Sequence, residues 1–335
     1  MQLVLALPGL LAWHDTEVRP VHAPALAHLL ATAGVPVRHE GGLDAALASR
    51  YGVLRQSDWP LAPMRLAALG VDPRDAYWLA ADPVTLIVGR DDVQLAAAVD
   101  DLARADADAL VATMNAHFGA DGLAFVAPRP NAIFVGVATR PRLFTHPLTS
   151  ASGRSLRKLL PEGPDAGAWR RWQSEIQMLL HEHPVNVERE RIGRPPANSL
   201  WFSQGGTMPA RSAPGPSMRT FATDDVAAAL ARHTGSAARA VPARLDDALA
   251  DAEGAESIVV ALPPPLDRAS VERSWAAPAR DRLAAGRLAT VTVIAEDAGD
   301  AVVWHARRPG FRERIAGRFA RHDLAALLAA ARKMD

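Results

Sequence analysis

The chain has 335 residues, 49% of them apolar, so it can bury a sizeable core and is not a disordered protein. Lys and Arg together number 37, as do Asp and Glu, which argues against nucleic acid or an acidic membrane surface as a partner. The chain has no cysteine, which excludes disulfides, thiolate metal ligands and cysteine nucleophiles.

The N-terminal run MQLVLALPGLLAW is apolar but has no Lys or Arg ahead of it, so it predicts a buried strand rather than a signal peptide. No apolar run approaches the roughly 18 residues that a membrane span needs. We therefore expect a cytoplasmic protein with no membrane partner.

The first half of the chain alternates strand and helix patterns. In order, these patterns predict a strand at 3–8, helices at 23–34 and 60–70, a strand–turn–strand at 77–89, a helix at 92–118, a hairpin of 123–127 with 132–138, a loop at 145–155 and a helix whose apolar stripe runs from Trp169 to Leu180. The turn inside 77–89 is expected at Asp82-Pro83, because proline interrupts strand pairing.

The last third returns to the same rhythm. It predicts helices at 223–233 and 244–252, a strand at 257–263, a helix at 268–285, strands at 289–295 and 301–306, and a final helix at 323–333. Such alternation is typical of an α/β fold with a largely parallel sheet flanked by helices. The long helix, hairpin and second helix break the rhythm, so we expect an inserted α+β subdomain at 81–190 within a discontinuous α/β core of 1–80 and 191–335.

The common catalytic motifs are absent from the chain. It contains no Gly-x-Gly-x-x-Gly after the first strand, no Walker loop, no His-Glu-x-x-His and no Gly-x-Ser-x-Gly. His181 and His183 are two residues apart, so on a helix they would point to different faces and could not share a metal. Only Asp297 follows a predicted core strand, where α/β sheets place their sites, although an acid in such a loop is also ordinary.

The most unusual segment is HPVNVERERIGRPPANSLWFSQGG, residues 183–206. Pro184 can begin a short helix that Gly193 ends, with a buried strand and a Gly-rich turn after it. Two interpretations stay open. One is an anion site, since backbone N–H groups and Arg suit a phosphate or carboxylate, built from Asn186, Arg189, Asn198, Gly205 and Gly206. The other is a structural joint, in which Asn and Arg satisfy backbone carbonyls.

The same segment resembles one in the archaeal-type cofactor-independent phosphoglycerate mutases, of the alkaline-phosphatase-like superfamily. The likeness is carried by His183, Pro184, Val185, Asn186, Arg189, Gly193, Pro196, Ala197, Asn198, Leu200, Gly205 and Gly206. Weaker similarity covers most of the first 210 residues. The chain is also similar to a bacterial family of phosphoglycerate mutase-like proteins, the RpfE-type regulatory proteins. The resemblance implies an alkaline-phosphatase-like core and places 183–206 at the domain cleft, near bound phosphate.

The chain departs from this family where the family carries its chemistry. The metal-binding Asp-Gly after the first strand is replaced by Pro8-Gly9, and the nucleophile's run is WPLAPM, which has no hydroxyl. Three prolines, 263–265, stand where a late metal ligand is expected, and Asp297 is followed by Ala298 instead of His. A two-metal phosphoryl-transfer site needs ligands for both ions and an activated nucleophile. We therefore expect no catalytic residue, no metal and no cofactor.

These observations favour a pseudoenzyme: a catalytically degenerate, metal-free phosphoglycerate mutase-like protein with a regulatory role. It would bind a phosphorylated small molecule or a protein partner at the interdomain cleft, through the five residues of the anion site. One alternative is a phosphoryl-transfer enzyme, of phosphoglycerate mutase or phosphatase type, with a rearranged active site. Its polar candidates are His14, Asp15, Asp58 and Asp297. The other alternative is a purely structural interaction module.

Overall fold

The structure is a computed structural model, which describes residues 1–15, 22–88, 93–151, 156–210, 217–297, 299–308, 310 and 322–333. The chain divides into two compact units, 1–51 with 211–335 (unit 1) and 52–210 (unit 2). No helix among the described residues is long and apolar enough to cross a membrane.

The strands, in chain order, are β1 (Gln2–Ala6), β2 (Val37–Glu40), β3 (Tyr77–Val88), β4 (Val93–Ala98), β5 (Leu123–Arg129), β6 (Ala132–Val137), β7 (Ser199–Gly206), β8 (Met218–Phe221), β9 (Ser257–Ala261), β10 (Thr290–Asp297) and β11 (Asp300–Arg307). The helices are α1 (Pro24–Thr32), α2 (Gly42–Arg50), α3 (Leu61–Ala68), α4 (Arg104–Phe118), α5 (Ala166–His181), α6 (Pro184–Arg191), α7 (Asp225–His233), α8 (Leu245–Asp251), α9 (Arg268–Ser270), α10 (Ala277–Ala284) and α11 (Leu324–Arg332). A π-helical turn, Val271–Ala276, joins α9 to α10.

Unit 1 is built on a six-stranded sheet in the order β2-β11-β10-β1-β9-β8. The four strands from β10 to β8 pair in parallel, and β11 and β2 add antiparallel edges. Consecutive residues of β1 are buried, because a parallel sheet is covered on both faces. Its Leu3 and Leu5 share a core with α1, α10 and α11. The expected fold class is confirmed: a mixed α/β fold whose multi-stranded sheet is flanked by helices.

Unit 2 is an antiparallel α+β unit. Its sheet has the order β4-β3-β6-β5, and β7 pairs with β3. Leu79 and Val135 pack against α4 and α5 on one face of the sheet. Trp78 and Phe134 pack against α3 on the other. The helices therefore cover both faces around β3 and hold β7 in the interior of the unit.

Two element predictions in unit 2 are wrong. Segment 77–89 forms no turn at Asp82-Pro83: β3 runs through it, and the Pro83 carbonyl accepts a bond from Val99 N at 2.9 Å. Segment 92–118 is not one helix, because 93–98 form β4 before α4 begins. The Ala-rich β4 has helical composition, but pairing with β3 overrides local propensity. The short elements β2, α2 and β8 were not anticipated.

The bounds of the inserted unit differ from the expected 81–190. The contacts place them at Gly52 and Ala210, because β3 pairs with β7 from Trp78↔Gly206 to Val84↔Ser199. This ladder pairs Val84, which lies inside the expected bounds, with Ser199, which lies outside them. Strand β3 itself begins before residue 81. Helix α3, which packs on that sheet, also belongs to the unit.

Candidate functional site

Segment 183–206 begins with a capped helix, as its Pro and Gly positions predict. His183 is the N-cap of α6: its Nδ1 accepts from Val185 N at 3.2 Å, and its Nε2 lies 3.0 Å from Thr113 Oγ1. Pro184 is the first helical residue, and Gly193 follows the helix with a φ of 74°. Burial lowers the pKa of His183, so the neutral imidazole that this cap requires is favoured.

Asn186 is buried inside unit 2, with 1% of its surface exposed. Its Nδ2 donates to Leu180 O at 2.8 Å and to Ala197 O at 3.0 Å, and its Oδ1 accepts from Ala197 N at 2.8 Å. The side-chain amide of Asn186 therefore links the end of α5 to the segment that leads into β7.

Arg189 is also buried, and its guanidinium already holds an anion of this chain. Its Nε donates to Pro195 O at 2.8 Å, and an Nη contacts Asp101 Oδ1 at 2.5 Å. Arg194 lies 3.6 Å from the other oxygen of Asp101. The hydrogen bond from Arg189 lowers the pKa of Asp101. Asp101 is 45% exposed, whereas the Arg189 side chain is 4% exposed, so the buried partner is the cation.

Asn198 extends the β3–β7 pairing with its side chain. Its Oδ1 accepts from Leu86 N at 2.8 Å, and its Nδ2 donates to Leu86 O at 2.9 Å, as a neighbouring strand would do. Asn198 also borders an open groove of about 420 Å³ whose other lining residues are Leu86, Gln177, Met178, His181 and Glu182.

Gly205 and Gly206 lie in a β-bulge at the end of β7. Between the pairs Ala80↔Ser203 and Trp78↔Gly206, β7 advances by three residues while β3 advances by two. Gln204 lies inside this bulge. Its φ is 61°, a value that non-glycine residues rarely adopt. A Cβ on Gly205 would lie 2.4 Å from the Tyr77 hydroxyl, and one on Gly206 would lie 2.4 Å from Pro60 Cβ. Both glycines are required by close packing.

The group that meets the Gly205 N–H is the carboxyl group of Asp58. Gly205 N donates to its Oδ2 at 3.4 Å, the Thr145 hydroxyl donates to the same oxygen, and Trp59 N donates to Oδ1 at 2.7 Å. Asp58 is 5% exposed, and burial raises its pKa. Sequence reasoning named Asp58 among the enzyme candidates but missed Thr145 and Tyr77, which no local pattern connects to it.

The carboxyl edge of the unit 1 sheet is the other place where polar residues were expected. Strand β1 is followed by Pro8 and β9 by the prolines 263–265. Asp297 ends β10, with Oδ2 at 3.2 Å from Arg38 and Oδ1 at 3.1 Å from Arg332. The side chains of His14 and Asp15 lie outside the described part. Within the residues that the structure describes, no three His, Cys, Asp or Glu side chains form a metal-binding group.

The five residues of the expected anion site lie in two places in unit 2. Asn186, Arg189 and Asn198 lie around α6 and the start of β7, whereas Gly205 and Gly206 end that strand. From Asn198 to Gly205 an extended strand spans about 23 Å. A small anion can meet one of these groups but not both.

No family model matches the chain, and no curated protein matches it. Among solved structures, the cofactor-independent phosphoglycerate mutase from Thermoplasma acidophilum is similar with a TM-score of 0.43 at 15% identity, over 99% of each chain. The PH0037 protein from Pyrococcus horikoshii is similar with a TM-score of 0.49 at 16% identity, over 100% of this chain and 98% of that chain. At these values the likeness assigns no activity and no site residue to this chain.

Proposed function

We propose that this chain is a metal-free, catalytically degenerate protein of the phosphoglycerate mutase-like type, and that it acts by binding, in regulation. The observation that supports this proposal is the carboxyl edge of the unit 1 sheet. Proline follows β1 and β9, and the carboxylate that ends β10 is held between Arg38 and Arg332. The positions where an α/β sheet presents catalytic ligands carry no free carboxylate from these three strands.

Phosphoryl transfer by two metals needs several anionic or imidazole ligands close together. Proline has no side-chain donor. Asp297 could bind a cation only after losing both of its arginines, which would leave Arg38 and Arg332 next to the metal. The donor set that follows β1, β9 and β10 therefore does not fit a two-metal centre.

The test measures turnover and metal binding by the purified full-length chain. We expect no hydrolysis of phosphate monoesters and no interconversion of phosphoglycerates with Mn²⁺ or Zn²⁺, and no Mn²⁺ binding by calorimetry. Asp297→Ala serves as the variant and Asp300→Ala as its control, since Asp300 lies 3.7 Å from Arg38 but is 41% exposed. Turnover that both chelation and Asp297→Ala abolish would refute the proposal.

The ligand that we propose is a small phosphorylated anion bound at Arg189 and Arg194, in the place that Asp101 holds. Arginine binds phosphate with the geometry that it uses for a carboxylate. Asp101 is half exposed and can swing away, while the Pro195 carbonyl keeps the Arg189 guanidinium oriented. Because two arginines face the single carboxylate of Asp101, one of their two positive charges is left to attract the ligand.

This ligand proposal is tested by thermal unfolding with inorganic phosphate, phosphosugars and glycerate phosphates. A ligand at 100 times its dissociation constant should stabilise the protein by about 2.7 kcal/mol. We expect Asp101→Asn to strengthen the stabilisation by phosphate and Arg189→Gln to abolish it. Arg191→Gln is the matched control, because Arg191 lies on the same helix and pairs with Glu188. No shift with any phosphate in Asp101→Asn would contradict the proposal and favour a structural interaction module.

A further inference from the structure

Asp58 is a buried acid whose described hydrogen-bond donors are all neutral. They are the Thr145 hydroxyl and the backbone N–H groups of Trp59 and Gly205. An ionised carboxylate loses far more on leaving water than a protonated carboxyl group does. The site therefore favours the protonated acid unless a cation compensates the charge.

The same carboxyl group joins three separate segments of unit 2. Asp58 precedes α3, Gly205 lies in the β7 bulge, and Thr145 follows a bridge in which Phe144 and Glu162 exchange two backbone bonds of 2.9 Å. Gln56 supplements this contact, because its side chain donates to Thr207 O at 2.9 Å and accepts from Thr207 N at 3.1 Å. Loss of the Asp58 contacts would therefore affect the 144–145 loop and the bulge together.

The charged and titratable groups around Asp58 come from each neighbouring element. Arg55, on the same segment, attracts the carboxylate electrostatically and places its guanidinium over the Phe144 ring. From β3 comes Tyr77, whose buried hydroxyl has no hydrogen-bond partner among the described residues and whose pKa burial raises. Arg140 faces Tyr77, and Arg65 binds Gln204 at 2.8 Å while pairing with Asp82 at 3.9 Å.

We propose that Asp58, with Thr145 and Gly205, is a proton-dependent latch that holds the 144–145 loop and the β7 bulge closed. With the proton bound, a neutral carboxyl group fills the space between the three segments, and its O–H can donate to the Thr145 hydroxyl oxygen, which reverses the bond that the carboxylate accepts. Loss of the proton leaves a buried charge that neutral donors stabilise incompletely, so opening of the loop and the bulge becomes more favourable.

The direction of the pH dependence follows from linkage. Burial raises the pKa of Asp58 above its ordinary value of 3.8, despite the opposing hydrogen bonds and Arg55. The folded state then holds the proton over a pH range in which the unfolded state has lost it. The stabilisation is complete below pH 3.8 and is lost as pH rises through the folded-state pKa.

The test is hydrogen exchange of the full-length chain, followed by mass spectrometry in peptides that cover 140–150 and 199–207. After correction for intrinsic exchange, protection should fall about tenfold per pH unit within the window. Asp58→Asn should remove this dependence, since the amide keeps the size and the Trp59 contact but does not titrate. Peptides of unit 1, which holds the buried Asp224, should be unaffected by Asp58→Asn.

Two variants of Thr145, Thr145→Val and Thr145→Ser, form a matched pair that tests the latch even if Asp58→Asn folds poorly. The hydroxyl bond favours the ionised carboxyl, so Thr145→Val should move the loss of protection to higher pH, whereas Thr145→Ser should leave it unchanged. The carboxylic-acid infrared band that Asp58→Asn removes should persist above pH 3.8, the ordinary pKa of an aspartic acid, in the unmodified protein. If the pH profiles of the protein and of Asp58→Asn were parallel, or if the midpoint of Asp58 ionisation lay at or below pH 3.8, the latch would be overturned.

Discussion

At the residue scale, the polar groups expected to bind an anion in segment 183–206 are bonded to other groups of unit 2. Asn186 and Asn198 complete backbone pairing, Arg189 holds Asp101, and Gly205 meets Asp58. These contacts correspond to the structural-joint interpretation of the sequence. An anionic ligand stays a prediction, and it now has a specific competitor, the carboxylate of Asp101.

The first prediction concerns the close approach at Gly205. Gly205→Ala should lower the free energy of unfolding by about 1–3 kcal/mol, because its Cβ would overlap the Tyr77 hydroxyl. Tyr77→Phe removes that hydroxyl and should recover part of the loss in the double variant. Urea unfolding measures both effects. Gly167→Ala in α5 is the control, since its Cβ meets nothing within 4 Å and should be neutral or stabilising.

The second prediction concerns Asn198. Asn198→Ala removes both bonds to the Leu86 backbone and should cost about 1–3 kcal/mol in unfolding experiments, because a donor and an acceptor lose their partner. Gln177→Ala changes the same groove but removes only one 3.4 Å contact, with Ser199, so it should have an effect below about 0.5 kcal/mol. Equal losses in the two variants would contradict the role assigned to Asn198.

At the element scale, α6 depends on a titratable cap. The neutral His183 accepts from Val185 N through Nδ1, and protonation would place a hydrogen on that atom. Burial lowers the pKa of His183 below 6.5, so the folded state resists protonation more than the unfolded chain does. The stability from this cap is present above pH 6.5 and is lost as pH falls towards the folded-state pKa.

The third prediction follows from this pH dependence of the His183 cap. Between pH 7 and 5 the contribution of His183 to the stability of unit 2 should fall, while that of Asp58 changes in the opposite direction; the difference between the protein and His183→Asn, which can cap the helix without titrating, isolates the His183 loss. Urea unfolding across this range gives the comparison. His28 and His305 in unit 1 also have lowered pKa values, so their contribution should persist in the variant. A pH dependence that His183→Asn leaves unchanged would show that another group controls α6.

At the scale of the whole molecule, the chain builds two cores of different kinds. Unit 1 buries consecutive residues in parallel strands, whereas unit 2 encloses an antiparallel sheet between α3 on one face and α4 with α5 on the other. Unit 2 is one continuous segment, 52–210, and its sheet pairs only within itself among the described residues.

The fourth prediction is that residues 52–210 fold on their own. A segment that has its own core and sheet can form an independent domain. Circular dichroism should show helix and strand, and urea should unfold the segment in one cooperative transition. The segment 81–190, cut at the boundaries expected from sequence, is the comparison. It lacks β7 and residues 77–80 of the partner strand β3, so it should not unfold cooperatively.

The sequence by itself determined the α/β class, the buried strands, most of the long helices and the start and end of α6. These features rest on hydrophobic periodicity, Pro and Gly, which act over a few residues. Only the tertiary structure decided that β3 crosses Asp82-Pro83, that β4 is a strand, and that Asp58 meets Thr145 and Gly205. Each of those outcomes depends on partners far away in the chain, which no local pattern encodes. For the same reason the sequence made Arg189 a candidate for an anion site, but only the fold revealed that Asp101 already occupies it.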